Sequence, residues 1–302
     1  MRNGSIFDAD LLNAHYSPRI YAYYFKQWEE FQMAFHQHDS TEIMYVIHGE
    51  CLVEWDGEAG KQDKVRLTKG EFILLDSNVP HRLIVEHTCR MLNVEFGFTT
   101  HTGGFPSIKQ VADEEETLRA MVASPVSYLK LQDPDEVYHC LKALVLELDE
   151  RGNDGGMLDR MLLSQLLIRI SRLRREAEKN RWQQAEHYVK TSIEFMYQNY
   201  DRNILVQEIA SFVILHPGYL QRIFKAQTGQ TLMEYLTAIR MEKAKMLLLH
   251  TDIQVADISD YVGIGSRQYF HALFKKHSKL TPIEFRNSMN THRYLELRSE
   301  DF

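Results

Sequence analysis

VQEIASFVILHPGYLQRIFKAQTG, residues 206–229, and VADISDYVGIGSRQYFHALFKKHSK, residues 255–279, are two copies of one pattern. Val206, Ile209, Ala210 and Val213 recur as Val255, Ile258, Ser259 and Val262 at an offset of 49. Tyr219, Leu220, Ile223, Phe224 and Lys225 recur as Tyr269, Phe270, Leu273, Phe274 and Lys275 at an offset of 50. Each copy reads as a short helix with a small residue, Ala210 or Ser259, where a second helix must cross closely. A tight turn follows, then a helix with one apolar stripe and a polar opposite face. Those are the requirements of a helix-turn-helix, whose functional form lays its second helix in the DNA major groove. Between the copies, TLMEYLTAIRMEKAKMLLLH runs without Pro or Gly. That predicts a long helix able to hold two reading helices about one DNA turn, roughly 34 Å, apart.

Upstream the pattern changes twice. From about Arg19 to Phe98, aromatic and β-branched runs such as IYAYYF, EIMYVI, CLVEW, FILL and MLNVEF alternate with turn signals at His48-Gly49, Asp56-Gly57, Lys69-Gly70 and Asn78-Val79-Pro80. Short strands at that spacing suggest a small barrel or sandwich. From about Glu114 to Lys179 the period becomes 3.6, interrupted by RGNDGG at Arg151 to Gly156, which predicts an αα-hairpin. Its second arm, MLDRMLLSQLLIRISRLRRE, is apolar around most of its circumference. One face suffices against its own domain, so the excess points to a partner subunit met through Leu162, Leu166 and Leu173; burial by its own chain is the alternative. EAEKNRWQQ, Glu176 to Gln184, is polar and reads as helix end plus linker.

The chain of 302 residues, 44% hydrophobic and 25% charged, has room for two or three domains. No signal peptide or long apolar window is evident, so a cytoplasmic protein with no membrane partner is expected. Cys51, Cys89 and Cys140 form neither a paired framework nor a CxxC motif and read as small buried hydrophobes in a reducing compartment. The net charge of −7 sits in the front of the chain: residues 184–302 carry 14 Lys+Arg against 13 Asp+Glu. A near-neutral segment still binds DNA if its cations share a face, so the acidity excludes nothing there.

Residues 186–290 resemble the DNA-binding domain of AraC-family transcriptional regulators. The resemblance rests on the Tyr-Leu-x-Arg-x-Phe-Lys core, Thr228-Gly229, Arg240 and Ala244 of the linker helix, Val262-Gly263, Tyr269-Phe270, Phe274-Lys275, and Thr281-Pro282 followed by Arg286. It departs from the family pattern at Ile264, Ala272 and Lys279, where Phe, Arg and Gly are usual. The Ala272 departure weakens the expected base readout by the second helix. By position, His216, Gly218, Gln221 and Arg222 are expected at base edges, with Arg222 suited to guanine and Gln221 to adenine. Ser266, Arg267, Gln268 and His271 are the candidates in the second copy, and Lys225, Lys275 and Lys276 are expected on phosphates.

The stretch FHQHDSTEIMYVIHG, Phe35 to Gly49, contains His36-x-His38-x-x-x-Glu42-x6-Gly49, and Gly70 precedes His81 by eleven residues. These spacings resemble the two cupin motifs, and with Phe31 to Phe98 they look like an AraC-type sensor cupin. Residues two apart on a strand share a side, so His36 and His38 can converge. Glu42 and His81 then complete a tetrad suited to a divalent transition metal, Fe, Mn, Ni, Cu or Zn. Hydrogen bonding of the same four residues to an organic effector, or a purely structural role for the histidines, is the alternative. Tyr24 and Trp28, among several nearby aromatics, are expected in an effector pocket, where such rings stack on sugars; core packing is the alternative.

The expected fold is multidomain α+β. A cupin-like β-barrel binds effector over residues 1–105, a helical linker and dimerisation segment spans 106–182, and an all-α domain with two helix-turn-helix motifs spans 183–302. The expected function is that of a ligand-responsive, sequence-specific regulator of transcription, a homodimeric activator acting on promoter DNA. Its effector is a small molecule, with a carbohydrate the natural candidate, and family resemblance adds RNA polymerase as a partner. No catalytic residue is assigned. A metal-dependent cupin enzyme with an accessory helical domain is the rival reading, and no second acid or base supports it.

Overall fold

Strict alternation along the strands decides which side of the sheet each residue faces. The computed structural model describes residues 2–56, 62–100, 103, 106–151 and 156–288. They form two units, residues 1–179 and 180–302.

In the first unit, the described strands are β1 (Arg2–Asn3), β2 (Tyr16–Gln32), β3 (Thr41–Asp56), β4 (Gln62–Thr68), β5 (Glu71–Leu75), β6 (His81–Thr100) and β7 (Tyr128–Gln132), with the short helix α1 (Asp10–Asn13) between β1 and β2. Long β6 is the hub: it pairs antiparallel with β1, β2 and β3, while β3 also pairs β4 and β5, and β5 pairs β7. Leu83, Val85, Cys89 and Met91 of β6 share a barrel-like interior with Met44, Val46 and Val53 of β3, Leu67, Ile73 and Leu75, and with Trp28 and Phe31 of β2. The intervening Leu92, Val94, Phe96 and Phe98 face the other way, with Ile43, Tyr45, Phe72 and Leu74. This outer face is covered by α2 (Ile108–Glu114), α3 (Glu116–Val122), α4 (Glu136–Arg151) and the first part of α5 (Met157–Asn199). Cys51, Cys89 and Cys140 are free and buried, as expected.

Three expectations are corrected here. Leu166 is wholly buried in the outer-face core, and Leu162 and Leu173 lie half-buried against it. Much of the apolar circumference of α5, Leu163, Leu166, Leu167 and Ile170, is spent on its own sheet, so Leu166 cannot face a partner. β7 interrupts the stretch read as helical; at five residues it is too short to show a period, and pairing with β5 defines it. Residues 176–184 are helical throughout, inside α5, rather than a linker. Their Glu, Ala, Lys, Arg and Gln are good helix formers, and polarity without Gly or Pro breaks nothing. The turn signal at Gly57 and residues 152–155 of the RGNDGG loop lie outside the described residues.

The second unit contains both copies of the repeated pattern. α6 (Val206–Phe212) and α7 (Pro217–Thr228) form the first pair, α9 (Val255–Tyr261) and α10 (Arg267–Ser278) the second, and α8 (Leu232–His250) joins them. Each pair is closed by the same bond across its turn: Leu215 N–H donates to the Ala210 carbonyl at 2.9 Å, and Ile264 N–H to the Ser259 carbonyl at 2.8 Å. Ala210 and Ser259 are buried at the crossings, where a larger side chain would hold the helices apart. Each copy has its own core, one around Leu220 and Phe224 and one around Phe270 and Phe274. Burying such a ring stabilises by about 1.5–3 kcal/mol. α8, 19 residues and so about 28 Å long, lends its first half to one core and its second half to the other. It starts at a capping box, with Thr231 accepting from Glu234 N–H and Glu234 accepting from Thr231 N–H.

Candidate effector site and DNA-reading surface

His36, His38, Glu42 and His81 meet inside the first unit, their donor atoms all within 4.8 Å of one another. Glu42 sits near the start of β3 and His81 at the start of β6. His36 is brought across by an isolated bridge: His36 N–H donates to the His81 carbonyl at 3.0 Å and His81 N–H to the His36 carbonyl at 2.9 Å. Glu42 and His81 are buried, while His38 is half-buried and His36, the most exposed of the four, lies at the mouth.

The orientation of the three rings follows from their outward nitrogens. Nδ1 of His36 lies 3.3 Å from the Ala34 carbonyl, Nδ1 of His38 3.0 Å from that of Ser40, and Nδ1 of His81 2.8 Å from that of Val79. A carbonyl only accepts, so each Nδ1 carries the hydrogen and each Nε2 is left as the reactive nitrogen. Nε2 of His81 and of His38 lie 3.0 and 3.3 Å from Glu42 Oε2. Two lone pairs cannot face each other at that distance in a buried site, so a proton or a metal cation must lie between them. Burial by itself would push the Glu42 carboxyl up, but the hydrogen bonds and charge of His38 and His81 outweigh it and hold its pKa at about 2. The bond to Glu42 raises the His38 imidazole against an opposing effect of burial.

This donor set fits a divalent transition metal: three imidazole nitrogens and one carboxylate, with the far ring nitrogens held by backbone carbonyls as ligating histidines require. Donors about 2.1 Å from one ion lie at most about 4.2 Å apart, so the tetrad needs to close by only a fraction of an ångström.

Three residues of the same site escape the motif-based reading. Asn93 donates from Nδ2 to Glu42 Oε1 and to the Tyr24 hydroxyl oxygen, each at 2.7 Å. Ser40 donates to Glu95 Oε2 at 3.0 Å and lies 2.8 Å from His38 Nδ1. Glu95 is the direct cross-strand partner of Glu42. The signal was present in MLNVEF, where Asn93 and Glu95 share the inward parity of Met91. Of the two expected pocket aromatics, Tyr24 joins the tetrad through Asn93. Burial, followed by the charges of Glu42 and Glu95, raises its pKa well above the usual tyrosine value, so its hydroxyl stays protonated. Trp28 stacks on Phe31 at 4.1 Å, and its buried Nε1 has no hydrogen-bond partner.

In the second unit, Gly218, Gln221, Arg222 and Lys225 are exposed on α7 or at its start, and Ser266, Arg267, Gln268, Lys275 and Lys276 on or beside α10; His271 is half-buried. His216 and Ser266 turn out to be the N-caps: His216 Nδ1 accepts from Gly218 N–H at 3.2 Å and Ser266 Oγ from Tyr269 N–H at 3.3 Å. The His216 Nε2–H is thereby free to donate outward. The Arg222 guanidinium lies over the Tyr219 ring at 5.3 Å, and Arg267 pairs with Asp257 at 3.6 Å. α7 thus offers in its first turns an arginine with no acidic partner among the described residues, whereas the lysines of α10 sit in its last turn, where they reach phosphates more readily than bases.

Residues 18–167 match the family model of an AraC-like ligand binding domain, and residues 209–288 match that of a helix-turn-helix domain. The chain is 27% identical over 254 residues to the melibiose operon regulatory protein of Escherichia coli K12, covering 79% of this chain and 82% of that protein. It is 23% identical over 256 residues to the HTH-type transcriptional activator RhaR of Mannheimia succiniciproducens, covering 83% and 86%. It is 34% identical over 99 residues to the lactose operon transcription activator of Staphylococcus xylosus, covering 33% and 36%. Among the described residues no helix is long and apolar enough to cross a membrane. A sensor sheet carrying a polar tetrad, followed by a doubled helix-turn-helix, is the architecture of ligand-responsive DNA-binding regulators rather than of enzymes, and the chain belongs to the AraC family of transcriptional regulators.

Proposed function

We propose that this regulator is a metal-assisted sugar sensor that activates transcription as a homodimer. The observation that carries the reading is the arrangement of His36, His38 and His81, each fixed through Nδ1 to a backbone carbonyl so that the three Nε2 atoms face Glu42. A divalent transition metal held by these four residues would supply a Lewis-acidic anchor for the oxygens of an effector. The sugar is supported by relatives named for melibiose and lactose operons, and by Tyr24 and Trp28 on the inner wall. Dimerisation is supported by the apolar residues of α5 that its own sheet leaves exposed, Met157, Leu158 and Met161. Activation and contact with RNA polymerase rest on the family.

The test is elemental mass spectrometry of the purified protein beside a His36→Ala/His81→Ala variant prepared identically. About one equivalent of a transition metal, lost in the variant, supports the reading. Absence of metal from wild type after incubation with each candidate ion refutes the metal centre and returns the tetrad to hydrogen bonding.

A further inference from the structure

Asn93 lies on β6 beside the tetrad and is 1% exposed. The carboxylate of Glu42 can only accept, so the amide must turn Nδ2 toward it, and the two hydrogens of that nitrogen are used on Glu42 and Tyr24. Oδ1 is left buried with no hydrogen-bond partner. An acceptor in that position is stable only when something from outside the chain brings it a hydrogen. The groups around it point to what that is. Glu95 faces Glu42 across the strands with one oxygen bound by Ser40, and the Tyr24 hydroxyl accepts from Asn93 while keeping its own hydrogen. The wall is rich in acceptors and offers one hydroxyl donor.

We infer that Asn93 Oδ1 is the specificity-determining acceptor of the effector site and that it selects a neutral polyhydroxy ligand, which donates a hydroxyl hydrogen to it. The inference deepens the proposed function and rests on its reading of the barrel as the effector site. A hydroxyl suits both sides of this wall, since it donates to Asn93 and accepts from Tyr24. A carboxylate or phosphate in the same place brings no hydrogen, so it leaves Asn93 Oδ1 unpaired, and it sets a further negative charge beside Glu95. An ammonium group brings hydrogens but nothing for Tyr24 to donate to.

The experiment is isothermal titration of the full-length protein, with metal content measured on the same sample. The probes are neutral hexoses and hexose disaccharides, the matching uronic acids and hexose 6-phosphates, and then the monodeoxy analogues of the tightest neutral sugar. We expect a neutral sugar to bind and its charged counterparts to bind at least about tenfold more weakly. One monodeoxy analogue should lose about tenfold against wild type. That loss should vanish in Asn93→Leu, because the deleted hydroxyl then has no partner to lose. If Asn93→Leu does not fold, the deoxy series on wild type decides alone. Deoxy analogues that all bind within about twofold of the parent, or a uronate that binds more tightly than its neutral sugar, overturn the inference while leaving the effector site standing. Failure of every probe to bind overturns both.

Discussion

Two residues of the second unit hold left-handed backbone that the other copy of the repeat gives to glycine. Ile214, in the turn after α6, has φ 57°, and its counterpart after α9 is Gly263 at φ 70°. Lys279, which ends α10, has φ 66°, and its counterpart after α7 is Gly229 at φ 75°. An L-residue in this region costs about 1–2 kcal/mol, with a β-branched side chain at the upper end. Glycine removes that cost but gives back about 0.5–1 kcal/mol of unfolded-chain entropy. Ile214 is 89% exposed, so its side chain contributes almost no burial to set against the change. Ile214→Gly is therefore expected to stabilise the second unit by about 0.5–1.5 kcal/mol, and Lys279→Gly by about 0.5 kcal/mol. In a thermal scan of the full-length protein, the transition of that unit should rise by a few degrees for Ile214→Gly. Gly263→Ala gives the opposite sign with a larger size, because its Cβ would lie 2.5 Å from the Tyr200 carbonyl oxygen and 2.6 Å from the Asp201 carbonyl carbon. An unchanged or lowered transition for Ile214→Gly would refute the strain argument and show that the exposed isoleucine makes a contact in solution.

Arg222→Ala should relax base preference at one operator position, at about 1–3 kcal/mol of lost discrimination, whereas Lys275→Ala should weaken all sequences alike. Selection of bound sequences from a random pool separates the two, and an unchanged profile for Arg222→Ala sinks its role. Met161→Glu should shift the protein to monomer in sedimentation velocity while leaving it folded, and Leu166→Glu should unfold the first unit; a folded Leu166→Glu variant would contradict its place in the core. Asp133 accepts from the N–H groups of Val137 and Tyr138 at the start of α4, at 3.0 and 2.8 Å. Asp133→Ala should cost about 1–2 kcal/mol, and an unshifted thermal transition of the first unit would count against that cap.

The repeat at 206–229 and 255–279 announced the second unit because it fixes residues two ways, by period and by copy. Val213 and Val262, or Phe224 and Phe274, are core in both copies. The tetrad was legible because three of its residues lie in one short stretch with motif spacing, plus one histidine after a glycine, although His36 and His38 lie between β2 and β3 rather than on a strand, so strand parity is not what makes them converge. Asn93 and Glu95 were not, since they reach the site only through the pairing of β6 with β2 and β3, which no local pattern encodes. The same holds for α5. Its apolar circumference suggested a second surface, but the outer sheet face that covers Leu163, Leu166 and Ile170 is assembled from strands far back in the chain, β3, β5 and β6, which no local pattern ties to the helix.

His36 and His81 clasp each other through two main-chain hydrogen bonds, independently of anything their rings hold. Half of the tetrad is thus framed by backbone, and the segment that carries His36 is tied to β6 by that pair of bonds. The main chain, rather than whatever the rings hold, sets these two imidazoles side by side.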